Sequence, residues 1–133
     1  MNNVLVTGGA GFIGSHLTRA LLAQGRHVRV LDNLATGHRH NLSAVWDNIE
    51  FVEGDLREQQ DCALACQDVD TVFHLGALGS VPRSIDDPAT SNAVNVIGTL
   101  NLLMAARNAG VRRFVFSSSS SVYGDTPTLP KHE

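Results

Sequence analysis

The sequence predicts an α/β fold, a doubly wound parallel sheet with helices on both faces, and three observations predict it. Short apolar runs of strand length alternate along the chain with longer segments of helical spacing. Those runs are apolar throughout instead of alternating with polar residues, as in strands buried on both faces. The bulk numbers suit a globular domain: 133 residues, 43% hydrophobic and 17% charged.

Taken in order, Val4-Leu5-Val6 reads as a buried strand, followed by glycines and a helix from about Phe12 to Gln24. Ile13, Leu17, Ala20 and Leu21 recur there at helical spacing, and Gly25 is placed to end it. Val28 to Leu31 makes a second strand, stopped by Asp32-Asn33, and a polar loop leads to a short helical turn near Leu42 to Trp46. Ile49 to Val52 is a third strand, broken by Gly54-Asp55. A helix through Cys62 and Cys66 precedes a fourth strand, Thr71 to His74. A long loop, Leu75 to about Pro88, is rich in glycine, serine and proline. A helix from about Ala89 to Asn108, with Val94, Ile97, Leu100 and Met104 on one continuous face, ends at Gly110. The fifth strand is Arg113 to Phe116, and the serine run 117–121 follows it. Right-handed crossovers between such strands predict the order 3-2-1-4-5.

A net charge of −3 gives no electrostatic reason to expect nucleic acid or an acidic membrane as partner. No apolar stretch is long enough to span a bilayer, and Met1 to Val4 offers no signal-peptide pattern, so the expected address is cytoplasmic. Cys62 and Cys66 have no companion ligands in sequence and read as packed, reduced thiols; no metal site is expected. His16, His38, His40 and His74 read as packing or solvated residues, and Arg83 is balanced between a solvated loop residue and one that reaches a diphosphate.

The chemistry lies in Thr7-Gly8-Gly9-Ala10-Gly11-Phe12-Ile13-Gly14. Gly8, Gly11 and Gly14 follow a strand and open a helix, the Rossmann dinucleotide fingerprint. Gly8 permits the tight turn, Gly11 lets backbone approach a pyrophosphate, and Gly14 lets the helix pack close to the strand. The helix start adds N–H groups and a positive dipole end. Asp32, 18 residues past Gly14, is placed to accept hydrogen bonds from ribose hydroxyls. It would repel a 2′-phosphate, which favours NAD, while Arg39 in the next loop leaves NADP open.

With these residues placed, the chain resembles the extended short-chain dehydrogenase/reductase family, and within it the nucleotide-sugar epimerases. The matching segments are TGGAGFIGSHL (7–17), LDNLATGH (31–38), EGDLRE (53–58), VFHLGALGSVPRS (72–84), NVIGTLNLL (95–103) and FVFSSSSSVYGD (114–125). GALGSVPRSIDDP (76–88) with SSSSSVYGDTPTLPK (117–131) looks most like the UDP-N-acetylglucosamine 4-epimerases, with UDP-glucose and UDP-glucuronate 4-epimerases left open. Sister 4,6-dehydratases would carry an acidic pair where this chain has Ser119 and Ser120.

The resemblance implies NAD as cofactor and a UDP-sugar as substrate. It places Gly8, Gly11, Phe12, Ile13 and Gly14 at the pyrophosphate, and Asp32, Asn33, Thr36 and Gly37 around the adenosine ribose. Asp55 and Leu56 would lie by the adenine, while Leu75, Gly76 and Ala77 line the cofactor. Asn95 would steady the cofactor-facing loops, and Ser117 would sit near the nicotinamide half. Gly79, Ser80, Ser119 and Ser120 would face the sugar, with Ser119 as the catalytic serine. Leu75 and Gly76 stand where close relatives often have glutamine and alanine.

The family's chemistry implies a tyrosine and a lysine four apart on one helix, where both side chains share a face. This chain has one tyrosine, Tyr123, and one lysine, Lys131, with Pro127 and Pro130 between them. Residues 1–133 are therefore expected to be the N-terminal portion of an NAD-binding Rossmann domain. Its last strands and the substrate domain would be absent, and the chain would be inactive alone. A stand-alone dinucleotide-binding module is the competing expectation, alongside a UDP-glucuronate 4-epimerase or decarboxylase-type fragment. Helix 89–108 resembles the family's dimer helix, so self-association is expected there or through the apolar edge of strand five.

Overall fold

The computed structural model describes residues 3–133, and the part of the signal-peptide reading that falls on Met1 and Asn2 lies outside them. Five parallel strands form one sheet: β1 (Asn3–Thr7), β2 (His27–Asp32), β3 (Ile49–Glu53), β4 (Thr71–His74) and β5 (Arg113–Phe116). Their order is β3-β2-β1-β4-β5, as expected from the crossover rule. β1 is central, with Val4 opposite both Val28 and Thr71.

Alternate residues of the central strands point to opposite faces and build two cores. Leu5, Leu31 and Val72 pack with Cys62, Ala65 and Cys66 of helix α2 (Gln59–Ala65) and its cap, and with Leu102, Ala105 and Ala106. Val4, Val6, Val28 and Val30 pack with Leu21 of helix α1 (Phe12–Ala23) and with Leu42. Leu42 belongs to a run of 3-10 turns, Arg39–Asn48, longer than the turn expected near 42–46. Arg29, on β2, donates to the carbonyls of Leu64, Ala65 and Gln67 and so ties down the C-terminal end of α2.

Three expectations need correction. Residues 75–88 are not one loop: helix α3 (Val81–Asp86) interrupts them, with Pro82 in its first turn and the Ser80 hydroxyl accepting from Arg83 N at its start. The 89–108 helix is helical throughout but not uniform. It runs as α4 (Pro88–Asn92), a π-helical stretch Ala93–Ile97, and α5 (Gly98–Asn108). On the face read from sequence, Val94 is buried, whereas Ile97 and Leu100 are exposed; Gly98, Asn101, Leu102, Ala105 and Ala106 make the buried face. The face of α1 is also rotated. Gly14, Ser15, Thr18 and Leu21 are buried, while Ile13 is exposed, because small residues let the helix come closest to the sheet.

Among the described residues β5 pairs with β4 alone and forms an edge of the sheet, and Val115 and Phe116 on it are exposed. Among the described residues no helix is long and apolar enough to cross a membrane.

Candidate functional site

A cleft opens at the C-terminal ends of β1, β2 and β4, where parallel sheets of this kind bind ligands. Its floor is the glycine turn. Gly8 adopts φ +69°, donates its N–H to Leu31 O (2.9 Å) and accepts from Gly11 N (3.1 Å). A Cβ on Gly14 would lie 2.1 Å from Gly8 O, so Gly14 serves the approach of α1 to the turn itself more than to the strand. The start of α1 carries no side-chain cap and no acidic residue in its first turn, which leaves its N–H groups for an anion.

Asp32 lines the cleft, and its carboxylate also builds it. Oδ2 accepts from Ala10 N (2.9 Å) and Oδ1 from Leu34 N (2.8 Å), joining the glycine turn to the loop after β2. Beside it Asn33 donates to Asp55 Oδ2 (3.1 Å), and Arg57 grips the same carboxylate through Nε (3.0 Å) and Nη2 (2.7 Å). These bonds, the Arg57 side chain first, hold the Asp55 carboxyl well below the usual carboxylate range. Arg39 is elsewhere: its guanidinium stacks over Trp46, 4.6 Å from the ring centre, and does not line the cleft.

Of the residues expected at a cofactor, Gly8, Gly11, Asp32, Asn33, Thr36, Gly37, Asp55, Leu56, Leu75, Gly76 and Ala77 line this one cleft. Gly14 is buried beneath the turn, and Phe12 and Ile13 are exposed at the head of α1. Asn95 stands behind the lining: its side chain accepts from Leu78 N (2.8 Å) and donates to Leu78 O (2.9 Å), which is a steadying contact. Ser117 donates its N–H to His74 O, extending the pairing of β5 with β4. Gly79, Ser80, Ser119 and Ser120 do not line the cleft. Ser119 is exposed, with its hydroxyl engaged to Ser121 (3.1 Å), at the start of a 3-10 turn over Ser120–Tyr123. The sequence reading missed Leu31, Ala35, Gly54, Arg57, Leu78, Thr90 and Val94 in the lining. Only Arg57 had a signal, two residues past an acid that can form a local turn with it.

Residues 4–133 match the NAD dependent epimerase/dehydratase family. The chain belongs to that family. It is 47% identical to a UDP-glucose 4-epimerase of Mycolicibacterium smegmatis over 97% of its own length, and 41% identical over 96% to one of Klebsiella pneumoniae. A Thermus thermophilus UDP-glucose 4-epimerase solved with NAD is 45% identical over 98% of this chain, with a TM-score of 0.89. A Methanobrevibacter ruminantium UDP-N-acetylglucosamine 4-epimerase, solved with UDP-N-acetylmuramic acid, is 41% identical over 99% with a TM-score of 0.90. The chain spans 42% of the length of the Mycolicibacterium, Thermus and Methanobrevibacter proteins, and 96% of the Klebsiella one.

Two further features bear on chemistry in this family member. Tyr123 closes the 3-10 turn, and Lys131 Nζ donates to the carbonyl and hydroxyl oxygens of Thr126, so the two share no helix. Cys62 and Cys66 are fully buried free thiols; burial pushes Cys62 up to about 12 and Cys66 up to about 11, so both stay protonated.

Proposed function

We propose that this chain is the NAD-binding portion of a nucleotide-sugar 4-epimerase, acting on a UDP-sugar in the cytoplasm. The observation that carries the reading is the single cleft in which an uncapped helix start, a glycine turn and two carboxylates converge. That donor set fits a dinucleotide: N–H groups for the pyrophosphate at Phe12 and Ile13, and acceptors at Asp32 and Asp55 for ribose and adenine. Asp32 with Arg39 turned onto Trp46 favours NAD over its 2′-phosphorylated form. When bound, NAD supplies reversible oxidation at the sugar C4.

The chain's own residues bind and orient. Asp55, kept ionised by Arg57, accepts hydrogen bonds across the pH range of the cell. We read Gly79, Ser80, Ser119 and Ser120 as the sugar-facing group, with the Ser119 hydroxyl turning from Ser121 to bond the reacting oxygen when the sugar is bound. The chain spans 42% of the length of three of the relatives above, which supports reading residues 1–133 as the cofactor half of the Rossmann domain, with the Tyr-x-x-x-Lys base and the substrate domain on further polypeptide. Val96, Ile97, Leu100 and Leu103 are exposed on the long helix and form the surface for a homodimer.

Calorimetry with NAD tests the first part. The expected result is one-site binding that Gly14→Ala abolishes; a folded chain that ignores NAD would overturn it. Adding a polypeptide with a Tyr-x-x-x-Lys helix should then give epimerisation of a UDP-sugar. NAD binding with no turnover under any complementation would favour the stand-alone binding module.

A further inference from the structure

His74 ends β4 and is 1% exposed, yet it has no place in the chemistry above. The polar atoms around it fix one direction of hydrogen bonding. Gly76 donates its N–H to Thr7 Oγ1 at 3.0 Å, and Leu75 shares its N–H between Thr7 Oγ1 (3.2 Å) and the Thr7 carbonyl (3.3 Å). With the lone pairs of that hydroxyl occupied, its proton goes to His74 Nδ1, 2.7 Å away. On the far side of the ring, Thr99 Oγ1 lies 2.8 Å from Nε2 and spends its own proton on the backbone carbonyl of Asn95 at 2.7 Å. It can therefore only accept from the ring. These bonds call for a neutral imidazole with its proton on Nε2. Asn95 then brackets the Leu78 backbone through both its amide atoms. Bonds thus leave the segment 75–78 at Leu75 and Gly76, cross β1, β4 and α5, and return to it at Leu78.

We propose that His74 is a positioning residue: through Thr7 on one side and Thr99 with Asn95 on the other, it sets the backbone of the cleft-lining residues Leu75 to Leu78. Burial pushes its imidazole down to about 4, in keeping with a ring that is neutral in the cell. A ring that merely filled space would be replaceable by any side chain of similar shape. This one needs an acceptor at Nδ1 and a donor at Nε2 together. Only the ligand-affinity arm of the test rests on the reading of the cleft as an NAD site.

The test starts with the unaltered chain. Long-range proton–nitrogen NMR on labelled histidines is expected to show His74 as the Nε2–H tautomer at neutral pH. An Nδ1–H tautomer or an imidazolium there overturns the proposal. His74→Phe is expected to speed amide exchange at Gly76 and Leu78 at least tenfold while β2 and β3 stay protected, and to weaken NAD binding about tenfold. His74→Asn, whose amide oxygen can stand in for Nδ1, should restore Gly76 but not Leu78. Unchanged exchange at both amides in folded His74→Phe overturns the proposal. If His74→Phe does not fold, Thr99→Val is read at Leu78 alone, with tenfold faster exchange expected and no change overturning it. Should the unaltered chain not bind NAD, the functional reading falls, and the tautomer and exchange results still decide the role of His74.

Discussion

Gly14 lies so close beneath Gly8 that a Cβ built on it would stand 2.1 Å from the Gly8 carbonyl oxygen and 2.7 Å from Gly9 Cα. Those atoms are backbone in a tight turn and have nowhere to go. Gly14→Ala should therefore cost about 1–3 kcal/mol in urea unfolding and open the turn. Gly79 has open space around it, so Gly79→Ala should stay within about 0.5 kcal/mol. Equal stability of the two variants would refute this account of the turn.

Asp32 was legible as a ligand acceptor, but the structure gives it a second task. Its two oxygens hold Ala10 N and Leu34 N, and Leu34 sits at φ +59° without being glycine. Removing the carboxylate strands both N–H groups. Asp32→Ala is expected to lose about 1–3 kcal/mol of stability before any ligand is added. A variant as stable as its parent, with only ligand affinity changed, would confine Asp32 to binding.

The same logic gives a pH dependence. Burial lowers His74 to about 4, whereas the unfolded ring titrates near the ordinary value of 6.5. Between those values the unfolded chain takes up a proton that the native chain refuses. Stability from this group is complete above pH 6.5, falls as pH drops toward 4, and is flat below. The expected loss between pH 7 and pH 5 is about 2 kcal/mol. Urea midpoints across that range should show it, and His74→Asn should flatten the slope. The lowered Asp55 acts in a separate window, below the ordinary carboxylate value of 3.8.

The exposed helix face gives a fourth expectation. Leu100 and Leu103 are 51% and 43% exposed beside Val96 and Ile97, an apolar stripe of the kind that marks protein–protein contact. Sedimentation should find self-association that Leu100→Glu with Leu103→Glu removes. If the double variant associates unchanged, the exposed edge of β5 is the contact instead.

Strands were the most legible part of the sequence. β4 and β5 were placed to the residue because uninterrupted apolar runs between turn residues have few other readings. Helix faces were less so. On α1 hydrophobicity pointed to Leu21, which is buried, and to Ile13, which is not; the other buried positions are Gly14, Ser15 and Thr18, small residues that allow close approach. Helix α3 hid inside a stretch whose glycine, serine and proline suggested a loop, although Ser80 and Pro82 are a helix-start signal. In the site, the glycine turn and Asp32 were readable from local spacing. The chain of bonds from Thr7 through His74 to Thr99 was not, since its members lie on three separate elements and no local pattern links them.

The order of the sheet carries a consequence for how the chain is made. β1 is the first strand to be synthesised, yet it gains its second neighbour only after β2 has gained both of its own. It meets β2 after one short crossover, but its other edge waits for β4, with Thr7 and His74 separated by 67 positions. Until residue 74 has emerged, the most apolar strand of the sheet has one open side. Long-range closure of that kind is slow, so the nascent chain is most exposed to wrong pairing during the middle of its own translation.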